Sequence, residues 1–516
     1  MTDAFATRPV PGSLLGRLDN GPLGSALRLV AIGAGAGLFA ALILYGTKAV
    51  LLWLVIAGLL VLIPTFIVRD HRLYWLALLL FVLQFEIKKN LNDGLAIVRD
   101  FHLDYLLYNF TFQVRGSDLV FLVLAFFWIH DIVFHGRRVR LPRATWLAVI
   151  YLAICVLSLF GAPWPYLGVV EIVRQSRFVI FFLYAYNNLC SPKALRLIAV
   201  AAIVLLALQG AVTAGRYVFG FYETLAFGED HQDESERDRY LEVDRETGDD
   251  TRRAFGTGTA PGSTGKLCLM MIPFALLCCL PNPLLGRRAI VIVVFAASCA
   301  ALLLTYTRGF FVAAGVELLA GFLLAVWRGY LPRTGALAIL ALALVGAVAV
   351  APKVSEMFRY RTTSYTVRFA QYKSTLAQIK AHPLLGVGIN NGPGLKRSYV
   401  NTSYNQVDPD TQSYTEPTHN LYLALSADIG IPGALFFFSF FAVVIRRAWW
   451  LSARSRDPAV AYFASAVFVV FAGVATSAMA DPFHEDNTLM LVWMYSGVIL
   501  GLYDAERASR RSVAVA

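Results

Sequence analysis

Apolar runs of about twenty residues, broken by short polar or basic connections, recur along almost the whole chain. An α-helix rises about 1.5 Å per residue, so about 20 apolar residues carry it across the hydrocarbon layer, with some allowance for tilt. The pattern predicts helices near 27–47, 49–67, 72–86, 117–135, 144–162, 170–188, 195–221, 262–283, 289–305, 309–327, 335–351, 419–445, 460–480 and 487–503. The expected fold is therefore all-α, a polytopic transmembrane bundle of about 14 spans.

The connections between these runs alternate in character. Arg8, Arg17 and Arg28, then Arg69 and Arg72, Arg137 to Arg143, Lys193 and Arg196, Arg287 and Arg288, Arg328 and Arg333, Arg446 to Arg456, and Arg507 to Arg511 fall in every second connection. Cytoplasmic loops carry such an excess of Lys and Arg, so these connections and both termini are expected inside. The others are acidic, mixed or aromatic, and three of them, 87–116, 222–261 and 352–418, are long. These are expected outside. The chain divides accordingly into a tail (1–26), a transmembrane bundle (27–351) containing the acidic loop 222–261, a large extracytoplasmic loop (352–418), further membrane helices (419–503) and a second tail (504–516).

The largest outer loop has order of its own. Within Arg368 to Ile379, Phe369, Tyr372, Leu376 and Ile379 share one helical face, which predicts an amphipathic helix lying at the interface. Next come His382-Pro383-Leu384-Leu385-Gly386-Val387-Gly388, where Pro stops the helix and the glycines permit a tight turn. The stretch Glu229 to Asp250 is strongly acidic with few large aliphatics, and reads as a solvated loop.

Composition narrows the class. Hydrophobic residues make up 58% of the 516, more apolar surface than one water-soluble core buries. The formal charge of +11 would suggest a nucleic-acid partner in a soluble protein, but here the cations sit between spans and serve topology. The 6 cysteines lie in or beside apolar runs without metal-ligand spacing, so neither a disulfide framework nor a metal site is expected. No Walker A sequence is present to support ATP-driven transport. The N-terminus shows no cleavable signal pattern, and the first span is expected to act as the targeting signal.

Ionisable residues within or at the ends of membrane helices are costly, which makes each a functional candidate. Arg308 stands at the outer end of one helix, Arg368 in the large outer loop, and His419 in the first turn of the helix that follows, so the topology brings all three to one face. Each has a plainer reading: snorkelling to headgroups for the arginines and capping for the histidine. In the sixth span Glu171, Arg174 and Arg177 recur at three-residue spacing, so Glu171 can pair with Arg174 while Arg177 requires an anion from elsewhere, such as a phosphorylated ligand. Lys266, near the start of another helix, is a candidate of the same kind. Asp481, His484, Glu485 and Asp486 fill a short outer connection and read as solvated polarity.

Four elements in order resemble the O-antigen ligase and O-antigen polymerase family of membrane glycosyltransferases. They are Gly256 to Gly265 (GTGTAPGSTG), Thr307-Arg308-Gly309, the block Arg368-Phe369 to Tyr372 with His382 to Gly388, and Thr418-His419-Asn420-Leu421-Tyr422-Leu423 with Gly430 and Gly433. Thr307 stands where the family often has Ser before the helix-end Arg, and the N-terminal half carries no matching motif. The resemblance implies transfer of a glycan from a polyprenyl (undecaprenyl) pyrophosphate donor to a sugar hydroxyl, at the periplasmic face of the bacterial inner membrane, without metal or other cofactor. Arg308 and Arg368 would bind the pyrophosphate and His419 would take the acceptor proton, with Arg174, Arg177, Lys266 and Asn420 binding substrate. A single displacement at C1 would invert the anomeric centre, making two glycosidase-type carboxylates unnecessary. The implied partners are the lipid-linked donor, a glycan or lipid-linked acceptor, membrane lipids and other polysaccharide-assembly proteins. Polymerisation of exopolysaccharide or O-antigen repeats is the leading expectation. Ligation of polymer to lipid A-core is the alternative within the family, and a lipid-linked oligosaccharide flippase or sugar transporter is the alternative outside it.

Overall fold

A computed structural model describes residues 70–85, 87–90, 112–219, 241–243, 250–258, 260–279, 288–332, 334–337, 362–399, 418–483 and 485–515, with isolated positions elsewhere. The helices expected at 27–47 and 49–67, most of 335–351, and nearly all of the acidic stretch 229–250 lie outside these residues.

The described chain is a helical bundle. Its helices are α1 (His71–Val82), α2 (Gly116–Phe134), α3 (Thr145–Leu157), α4 (Pro165–Asn188), α5 (Pro192–Phe219), α6 (Pro261–Cys278), α7 (Arg288–Leu304), α8 (Arg308–Trp327), α9 (Thr362–Ala381), α10 (Leu421–Arg454), α11 (Pro458–Ser477) and α12 (Asp486–Val515). Of these, α2, α5, α6, α8, α10, α11 and α12 are long and apolar enough to cross a membrane. At 24 residues α4 has the length, but Glu171, Arg174 and Arg177 lie within it. Helix boundaries follow local chemistry. Pro165, Pro261 and Pro458 occupy the first helical position, where no N–H is needed. Asn420 caps α10 by accepting from the Leu423 N–H at 3.0 Å. α12 continues unbroken to Val515, through the segment that hydropathy alone set apart as a tail.

Two features depart from the expected pattern. Two short antiparallel ladders are present, β1 (Lys88–Asn90) with β2 (Gln113–Arg115) and β3 (Leu241–Val243) with β4 (Asp250–Arg252). The helix α9 also turns its faces the other way from a simple amphipathic reading. Its polar stripe of Gln371, Ser374, Thr375 and Gln378 is buried, whereas Phe369 and Leu376 are exposed. The hydroxyl and amide groups face protein and the apolar side chains face outward, an arrangement suited to a helix that borders lipid.

At the centre lies α6, buried along nearly its whole length and packed against α5, α7, α8, α11 and α12. In lipid the drive for this packing is close contact rather than escape from water, and small residues allow it. Gly497 and Gly501, one turn apart on α12, lie against the backbone of Phe182 and Tyr186 on α4, where any Cβ would collide.

The outer part of α10 is kinked. Gly430 has φ 74° and Pro432 follows it, so the helix loses regular backbone bonds there. The turn after α9 replaces them: Ile431 N–H donates to Pro383 O at 2.9 Å, and Val387 N–H donates to Ala427 O at 2.9 Å. Gly386, with φ 68°, lets the turn approach so closely that a Cβ would strike the Asp428 backbone. The HPLLGVG sequence is thus the counterpart of the α10 kink.

Candidate functional site

The short connection from Ala478 to Asp486, between α11 and α12, gathers the candidate residues. Its first part is bonded to the start of α10. Leu421 N–H donates to Ala478 O at 2.8 Å and Asn420 Nδ2 donates to Met479 O at 3.2 Å. From α9, the Tyr372 hydroxyl lies 2.8 Å from His419 O and 3.3 Å from Met479 O. Arg368 stands one turn before Tyr372, and its positive charge pulls the phenol pKa down while burial, the larger effect, raises it. Tyr372 therefore stays a neutral donor that ties α9 to the His419 backbone. Thr375 and Thr418 add a buried hydroxyl pair at 2.6 Å.

On the opposite side, Gly309, next to Arg308 at the start of α8, abuts Ala480. Lys266 of α6, almost fully buried, meets Asp481 at 2.8 Å and also Glu485. Phe310 and Phe483 place their rings 6.0 and 5.7 Å from the Lys266 ammonium. Arg308, Arg368 and His419 are each half-buried.

The far end of the connection is an ion network. Asp486 has only 3% of its side chain exposed and faces Arg115 at 2.8 Å, Arg174 at 2.6 Å, and Arg177. Arg174 is also held by Glu171, at 2.8 and 2.7 Å, and Arg177 by Asp118, at 2.8 and 2.7 Å. Three guanidinium groups thus meet three carboxylates, those of Glu171, Asp118 and Asp486. The Glu171–Arg174 pair is present as the helical spacing predicts. The anion that Arg177 requires comes from Asp118 and Asp486 within the protein.

This corrects the reading of Asp481, Glu485 and Asp486 as solvated polarity, since all three are engaged in ion pairs with groups inside the bundle. His484 lies outside the described residues. The physical reason is charge balance: cations within membrane helices must be matched where water is scarce, and this connection supplies the matching carboxylates. The excess of cations over acids in α4 and α6 was the available signal. The partners stand more than 200 residues away in sequence.

The elements that carry the seven candidates therefore meet at one short segment. Asn420 and the neighbours of Arg308, Arg368 and His419 meet its first half, Lys266 spans its middle, and Arg174 and Arg177 hold its end. Such a fold and site define a multi-pass membrane protein with a cluster of paired charges at one end of its bundle. Residues 292–438 match the family model described as O-Antigen ligase, which supports membership of the O-antigen ligase and polymerase family. No curated protein matches the chain. The matched region contains Arg308, Arg368, His419 and Asn420. Lys266, Arg174, Arg177 and the 478–486 connection lie outside it.

Proposed function

We propose that this protein transfers a glycan from a polyprenyl (undecaprenyl) pyrophosphate donor to a sugar hydroxyl at the periplasmic face of the bacterial inner membrane, polymerising exopolysaccharide or O-antigen repeat units. The observation that supports the proposal is the convergence of the elements carrying Arg308, Arg368, His419, Asn420 and Lys266 on residues 478–485, together with the family match over residues 292–438. The orientation rests on the alternation of basic connections, which supports about 14 spans with both termini inside.

In the proposed reaction the acceptor oxygen attacks the anomeric carbon from the side opposite the pyrophosphate. The bond from that carbon to the phosphate oxygen breaks, and its electron pair leaves with the pyrophosphate. The configuration inverts. Charge grows on the leaving group, where Arg308 and Arg368 offer bidentate donors in a poorly solvated setting. His419 takes the acceptor proton. Because the donor enters with its leaving group already activated, the reaction requires no metal. Lys266 and Asn420 border the donor, and Arg174 and Arg177 contribute by exchanging Asp486 for phosphate oxygens. Other polysaccharide-assembly proteins would supply the donor and receive the product.

The description of the matched family favours one second reading, ligation of the polymer to lipid A-core. Deleting the gene and examining the glycolipids separates the two. Single repeats without long chains mark a polymerase, and bare lipid A-core with polymer retained on the carrier marks a ligase. Repeats trapped on the inner leaflet would instead indicate a flippase and overturn the proposal.

A further inference from the structure

Beside the site an open cleft runs between α3, α4, α9 and α10. Thr418 and Leu421, which flank His419 and Asn420, form part of its wall, so the cleft opens next to the proposed base.

Its hydrogen-bonding capacity is lopsided. Apart from Arg174, the side-chain amide donors along the wall are already committed: Gln175 Nε2 to Glu171 at 2.7 Å and Gln378 Nε2 to Gly392 O at 2.9 Å. The backbone N–H groups of Asn390 and Gly392 go to the Asp428 carboxyl, at 3.1 and 2.9 Å. Acceptors remain. Gln378 is 0% exposed and its Oε1 has no hydrogen-bond partner among the described residues, which is costly for a buried polar atom. The Asp428 carboxyl has about four lone-pair directions and accepts two of these bonds.

A ligand that completes this lining must bring donors. A pyrophosphate brings mainly acceptors, which cannot satisfy the Gln378 Oε1 and the remaining acceptor capacity of Asp428. A saccharide brings several O–H donors, together with apolar ring faces that suit the aromatic side chains of Tyr151, Phe437 and Phe483. We infer that this cleft binds the acceptor saccharide, beside the donor pyrophosphate site at Arg308 and Arg368. The inference rests on the transfer reaction proposed above.

The test uses full-length protein in lipid nanodiscs. The probes are inorganic pyrophosphate and the oligosaccharides released by mild acid from the polyprenyl carriers of the producing cell. Ala424→Phe, which fills the cleft without touching its polar groups, and Gln378→Leu should each weaken oligosaccharide binding at least tenfold. Pyrophosphate should neither displace the saccharide nor bind these variants more than twofold differently. A photoreactive form of the oligosaccharide should label wild-type peptides from 418–428 or α9, a readout independent of how the variants fold. Unchanged saccharide affinity in a folded variant, labelling elsewhere, or displacement by pyrophosphate would overturn the inference. If the saccharide binds here but wild-type protein transfers nothing from a polyprenyl-pyrophosphate donor, the transfer reading fails and the cleft remains a saccharide site.

Discussion

The two ends of α2 carry the same kinds of residue in different surroundings. In its first turn Asp118 joins Arg177 within the network around Asp486, whose side chain is 3% exposed. In its last turns Asp131 meets Arg72 and Arg137, with side-chain exposures of 44% and 39%. At the exposed end, water and ions screen each pair and little energy is gained. At the buried end each charge must be matched, and the matching fixes the separation of α2, α4 and α12. The difference shows why similar Arg–Asp pairs serve an anchoring role at one end and organise the site at the other.

The comparison breaks most visibly at Asp486. Replacing it by Ala leaves Arg115, Arg174 and Arg177 facing one another, and should destabilise the protein by about 3–5 kcal/mol. Thermal unfolding in nanodiscs measures this, and an unchanged midpoint would mean that the network is solvated. Next in size are Arg308→Ala and Arg368→Ala, each expected to reduce donor use by about 100-fold in a transfer assay, on the scale of losing one charge-stabilising donor. Their thermal midpoints should stay close to wild type, since neither belongs to the Asp486 network. The smallest effect belongs to Asp131→Asn at the exposed end. Stability should fall by about 0–1 kcal/mol and transfer should remain within twofold of wild type. A large loss of transfer there would dissolve the distinction between the ends.

Membrane thickness made much of the fold legible, because it imposes one length on every span. The starts of α2, α5, α6, α7 and α8 fall within three residues of where hydropathy alone puts them. The apolar pattern runs through 419–445 as one helix, and neither the break at Gly430 and Pro432 nor its filling by residues 383–387 was read from it. In α9 the apolar positions were visible and drew attention, whereas the informative face was the polar one, Gln371 to Gln378, which lies buried against the site. Arg308, Arg368 and His419 were singled out because helix ends and motifs point to them. Asp481, Glu485 and Asp486 were not, since a short acidic loop has the same composition in water as in a bundle. Only the partners, far off in sequence, distinguish the two.

In the proposed reaction the residues around the 478–486 connection carry out glycosyl transfer, with His419 as the base. This role is tested most directly by single-turnover transfer from a synthetic polyprenyl-pyrophosphate-linked repeat unit, with purified wild-type and His419→Ala proteins in nanodiscs. The wild type should give a product of inverted anomeric configuration and the variant a rate at least about 100-fold lower, with donor binding retained. Transfer by correctly folded His419→Ala at the wild-type rate would contradict that role.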